Sequence, residues 1–100
     1  MTDDILLLPK PKTTVERPKL YKVILLNDDF TPREVVVAIL RAVFRMAEGV
    51  ALGVMLTAHR RGACVVAVFT KEVAEEKATR ATDAARKEGH PLTFTTEPEE

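Results

Sequence analysis

Asn27, Asp28 and Asp29 stand in a row in LLNDDFTPRE, and a histidine, His59, follows later in MLTAHRRG. An amide oxygen, a carboxylate and a neutral imidazole are all hydrogen-bond acceptors, and a primary ammonium has three N–H donors to give them. Asn27, Asp29 and His59 would therefore suit a free amino terminus if the fold brought them together. Spacing alone does not establish that. Asn and Asp are also common between a strand and a helix, where their side chains bond nearby backbone amides. A histidine near a helix C-terminus is commonly a solvated cap that gains from the helix dipole.

Asp28, Asp29, His59 and His90 could alternatively serve as metal ligands or as acid and base. The sequence offers such an enzyme little else. It has no glycine-rich phosphate loop, no HExxH pair and no nucleophile with an evident base, and His90 precedes Pro91 in a turn-like GHP. Cys64 is the single cysteine, which excludes an internal disulfide and a zinc site of paired thiolates. It lies in an apolar run and reads as a small buried hydrophobe. No catalytic residue, metal or cofactor is expected.

The elements that must position these side chains follow from periodicity. Lys19 to Leu26 alternates as a strand, with Tyr21, Val23 and Leu25 on one face and Leu20, Ile24 and Leu26 on the other. Apolar residues on both faces suit a central strand. After the NDDF turn, Thr31, Pro32 and Glu34 form a capping-box pattern that starts a helix at Pro32. Val35, Val36, Ile39, Leu40, Val43 and Phe44 give that helix an apolar stripe to about Arg45. Gly49 loosens the chain, and Val50, Val54, Met55 and Ala58 repeat the spacing in a second helix that ends near His59, with Gly62 as its left-handed terminator.

Ala63 to Phe69 is a β-branched run of strand length, and Thr70 caps a third helix that continues through Lys87 and closes at Gly89. Leu92 to Thr95 makes the last strand. The order is β-α-α-β-α-β. A normal crossover makes the second and third strands parallel, with the first between them. The expectation is an α+β two-layer sandwich, a three-stranded sheet packed against three helices.

One hundred residues, 46% hydrophobic and 30% charged, describe one domain with a modest core. Residues 1–18 mix prolines and charges without a sustained period and read as a flexible N-terminal extension, residues 19–96 as the core, and residues 97–100 as a frayed acidic tail. Fifteen basic side chains balance fifteen acidic ones, so nothing steers the whole molecule toward nucleic acid or an anionic membrane. Ile5 to Leu8 is far shorter than the ~20 residues of a bilayer span, and the acidic start does not resemble a secretory signal. A cytoplasmic location is expected, with no nucleic-acid or membrane partner.

YKVILLNDDFTPRE, MLTAHRRG, VFTKEVAEEKA and GHPL resemble, in the same order, the successive motifs of the ClpS family, adaptors that hand proteins to a Clp protease. The resemblance covers roughly residues 18–96. It implies that Asn27, Asp29 and His59 hold the α-amino group of an N-degron substrate whose first residue is a bulky hydrophobe, with Asp28 supporting the turn backbone. It also implies a side-chain pocket lined at Thr31, Arg33, Val36, Met55, Ala58 and Leu92. Arg33 stands where the family usually has a methionine, and its aliphatic stem can cover the pocket with the guanidinium in water. Ala58 stands where many members carry a larger aliphatic residue, which leaves room for an aromatic ring.

These substitutions resemble the second paralogue of some alphaproteobacteria. Glu72 and Lys77 match positions that contact the N-terminal domain of the ClpA-type AAA+ unfoldase, and they equally suit a charged helix face laced by i,i+4 pairs. The family's fold also resembles the globular domain of a ribosomal stalk protein, and a shared fold does not carry function.

Overall fold

The computed structural model describes residues 17–100. Its order is β1 (Leu20–Leu26), α1 (Arg33–Phe44), α2 (Glu48–Arg61), β2 (Ala63–Thr70), α3 (Lys71–Lys87) and β3 (Thr93–Pro98). The sheet runs β2-β1-β3, with both outer strands antiparallel to β1 and hence parallel to each other. This is the expected two-layer α+β architecture with β1 at the centre. The expected N-terminal extension lies, apart from Arg17 and Pro18, outside the described residues.

β1 joins the layers. Val23 and Leu25 are fully buried against the helices, and β2 and β3 add Phe69, Val66, Cys64 and Phe94 on the same side. Between Val23 and Ile24 the register with β2 shifts, leaving Val66 as the extra residue of a bulge. Phe44 at the end of α1 stacks on Phe69 and Phe94, with ring centroids 6.4 and 5.7 Å away. On the second face of β1 Ile24 is buried but Leu20 and Leu26 stay exposed, so apolar residues on both faces marked a central strand without marking two fully covered faces.

α1 buries Val36, Ile39, Leu40 and Val43, the heart of the stripe read from its spacing. α2 keeps Val54, Met55 and Ala58 on its inner face and departs from expectation only at its start. It begins at Glu48 with Gly49 inside its first turn, and it buries Ala51, Met55 and Ala58 while Val50 points outward. Gly62 ends it in the left-handed conformation at φ 91°, donating its N–H to the Ala58 carbonyl at 2.8 Å. Nothing crowds the place where a Gly62 Cβ would sit, so the backbone angle alone favours glycine there. α3 buries Ala74, Ala78, Ala81 and Ala85, a small-residue stripe that lets the helix lie close to the sheet.

Two caps differ from the sequence reading. Neither Thr31 nor Thr70 makes a side-chain cap bond, and α1 starts at Arg33, with the Pro32 carbonyl accepting from Val35 and Val36. The Thr31 hydroxyl turns to Asp28 instead. β3 also runs past Thr95: Thr96, Glu97 and Pro98 pair with Val23, Lys22 and Tyr21, and Glu99 N–H donates to the Leu20 carbonyl at 2.8 Å. The open edge of β1 supplies the ladder that orders a segment with little strand propensity of its own.

Candidate functional site

The chain leaves β1 at Leu26 and must reverse into α1 within a few residues, and the NDD sequence supplies the groups that do it. Asp28 Oδ1 accepts the Phe30 N–H at 3.3 Å, and its Oδ2 accepts the Thr31 hydroxyl. Both oxygens of this half-buried carboxylate thus serve the turn. Asp29 is left over. The Asn27 amide Nδ2 donates to Asp29 Oδ1 at 3.3 Å, which leaves Asn27 Oδ1 and Asp29 Oδ2 as acceptors at the surface.

One backbone bond ties this turn to α2. The Asn27 N–H donates to the Gly62 carbonyl at 2.9 Å, three residues after His59. The end of β1 and the end of α2 are thereby held side by side, and His59 in the last turn of α2 faces the same cavity as Asn27 and Asp29. All three side chains are solvent-exposed.

The cavity between them measures about 200 Å³. That is smaller than the roughly 300–1,000 Å³ of drug-sized ligand sites and suits a single side chain with its amino group. Thr31, Arg33 and Val36 line it from the start of α1, Met55 and Ala58 from α2, and Leu92 from the segment before β3. Val36, Met55, Ala58 and Leu92 are all buried core residues, so the floor is the edge of the hydrophobic core itself. Arg33 is exposed at the mouth.

Every residue that the sequence reading put near the amino group or in the pocket therefore lines one cavity. Leu25, Leu26 and Pro32 line it as well, and the sequence reading missed them. Their signal was positional: the last residues of a strand and the first of a helix flank the turn, so the walls on either side belong to them.

Glu72 and Lys77 lie elsewhere, on α3. Glu72 is exposed in the first turn. Lys77 is half-buried: its Nζ donates to the Val43 carbonyl at 3.2 Å and stands 5.6 Å from the centroid of the Phe69 ring. The ammonium thus caps the end of α1. The i,i+4 pairing expected on this face is represented by Arg80 and Glu76 at 3.9 Å, an exposed contact of little energetic weight. His90 follows α3, with its N–H on the Ala85 carbonyl, and does not line the cavity. Burial pushes the Cys64 thiol above its ordinary range, against a smaller lowering by Arg61, which fits an inert half-buried side chain. Among the described residues no helix is long and apolar enough to cross a membrane.

Comparison with known proteins bears on the whole chain. Residues 16–95 match the family described as ATP-dependent Clp protease adaptor protein ClpS. The chain is similar to the ATP-dependent Clp protease adapter protein ClpS 1 of Bradyrhizobium diazoefficiens, at 70% identity over 91% of this chain and 90% of that one. It is similar to ClpS 2 of Mesorhizobium japonicum at 67% identity, over 91% of this chain and 94% of that one. Both paralogue names thus occur among its relatives. The solved structure of Agrobacterium tumefaciens ClpS2 bound to L-phenylalaninamide superposes with a TM-score of 0.82 at 60% identity, covering 83% of this chain and all of that one. The chain belongs to the ClpS family of ATP-dependent Clp protease adaptors.

Proposed function

We propose that this chain is a non-catalytic cytoplasmic adaptor that captures proteins by a free amino terminus with a bulky hydrophobic, preferentially aromatic, first residue and delivers them to a Clp unfoldase–protease. The observation that carries this reading is a single cavity with exposed acceptors at its rim and core apolar side chains on its floor. A first residue presents those two features in the same arrangement, a charged ammonium one bond from the atom that bears its side chain.

In this reading Asn27 Oδ1, Asp29 Oδ2 and the His59 imidazole accept the three ammonium N–H donors. Asp28 acts through the turn. Val36, Met55, Ala58 and Leu92 take the side chain, with Thr31 at the wall and the stem of Arg33 over the mouth. The solved relative with L-phenylalaninamide supports an aromatic first residue here. It also supports the choice of an amino-acid amide over a small metabolite or a nucleic acid.

The partner on the protease side is the N-terminal domain of a ClpA-type unfoldase, reached through the α3 surface around Glu72 and Lys77. Because the Lys77 ammonium already binds the Val43 carbonyl, its share of that contact falls to the side-chain stem, and Glu72 carries the free charge.

The test is degradation by a reconstituted Clp unfoldase–protease of a folded reporter that begins with phenylalanine. Adding this chain should accelerate it, and a reporter beginning with serine should be unaffected. Equal rates with and without the chain would overturn the proposal.

A further inference from the structure

The sheet turns one face away from the helices, and that face is largely apolar. Leu20, Ile24 and Leu26 share it on β1, and the register adds Val65 beside Ile24 and Val68 beside Lys22 on β2. Leu20, Leu26, Val65 and Val68 are each between 37% and 46% exposed. Ile24 is buried in their midst, yet it stands outside the core cluster formed with the helices. Within the three strands, Lys22 and its register partner Glu97 are the charged residues of this face.

We propose that residues 5–8 of this same chain, Ile-Leu-Leu-Leu, dock on the outer sheet face and cover the patch around Ile24. They lie outside the described residues, and neither the core nor the cavity of the described fold uses them. The proposal goes beyond the amino-terminus reading above and does not rest on it.

Size, tether and charge favour this occupant. Three strands ~4.8 Å apart and about 23 Å long present roughly 300 Å². A stable interface with a second copy needs about 800 Å² from each partner, so the face is small for one. Four extended residues are about 13 Å long and fit within it. The chain enters the sheet at Leu20, on this face, and residues 9–19 separate that point from Leu8. At ~3.3 Å per residue they reach roughly 36 Å, enough to bring residues 5–8 back over any part of the face. A short tether also keeps the segment at millimolar effective concentration, which makes a small apolar contact sufficient. One charge of each sign gives the face no pull toward an anionic membrane.

Methyl NMR of the full chain, labelled at Ile, Leu and Val, tests this. Nuclear Overhauser contacts should join the Leu6 or Leu7 methyls to those of Val65, Val68 or Leu26. The double substitution Leu6→Ser and Leu7→Ser should shift the Val65 and Val68 resonances. It alters no strand or helix residue, and unmoved Leu40 and Val43 resonances would report an intact core. Val65→Lys, an exposed position on an edge strand, should abolish the same contacts from the sheet side. Val65 and Val68 resonances that stay unmoved in the double variant would overturn the proposal. So would resonances that move with protein concentration and not with the double variant, which would give the face to a second copy.

Discussion

Asn27, Asp29 and His59 at the rim of the cavity are exposed, whereas Val36, Met55, Ala58 and Leu92 on its floor are among the best-buried side chains of the chain. The floor packs β1, α1 and α2 together as part of one core. Asn27 is tied to the end of α2 by its backbone N–H, and its side chain bonds only within the rim, to Asp29 Oδ1. A rim side chain can thus be changed with little cost to folding, but a floor side chain cannot. Between the two stands Asp28, a neighbour of both rim acceptors in sequence, whose carboxylate is taken up by the turn.

The largest effect should come from the floor. Leu92→Ala removes a fully buried side chain and should cost about 2–5 kcal/mol of stability, with peptide binding falling as well. Chemical denaturation measures it, and a loss under 1 kcal/mol would mean that the floor is not a continuation of the core.

Asp29→Ala should do the reverse. Affinity for a Phe-initiated peptide should fall by about 2 kcal/mol, roughly thirty-fold in Kd, through loss of the charged partner of the ammonium. The denaturation midpoint should stay within experimental error. Anisotropy and denaturation on the same sample separate the two, and a drop in stability equal to the drop in affinity would erase the distinction between rim and floor.

The smallest effect sharpens the floor alone. Ala58 leaves space where a larger side chain would reach a leucine ligand, so Phe, Tyr or Trp should bind better than Leu, by a factor of several corresponding to ~1 kcal/mol. A matched peptide series decides this, and equal or tighter leucine binding would contradict it.

The same contrast explains what could be read from the sequence. The floor was legible because burial imposes periodicity: Val36 and Met55 fall on apolar stripes that any folded hairpin would bury. The start of α2 was less so, since Ala51 and Val50 are both acceptable core residues and only packing against α1 and β2 selects the smaller one. The rim was legible only as a set of residue types. Nothing in the spacing from Asn27 to His59 shows that the Asn27 N–H reaches the Gly62 carbonyl, a contact that depends on the whole α1–α2 hairpin returning to the end of β1.

The sequence reading erred twice. Thr31 and Glu34 match a capping box, yet Asp28 lies three residues before Thr31 and takes its hydroxyl, so the sequence pattern was satisfied by a different partner. Glu97 and Pro98 look like a frayed end until β1 offers them a ladder. The first error comes from a nearby competing acceptor and the second from a strand partner distant in sequence.

The central claim is that the rim recognises a charged amino group and not merely the side chain behind it. Calorimetric titration with one Phe-initiated peptide, amino-free and then N-acetylated, isolates that contribution, because acetylation removes the ammonium and leaves the phenyl ring. The account predicts saturable binding of the free peptide and a loss of at least about thirty-fold on acetylation, no smaller than the loss from deleting the Asp29 carboxylate alone. Equal binding of the two peptides would contradict it, by making the cavity an apolar pocket to which Asn27, Asp29 and His59 are incidental.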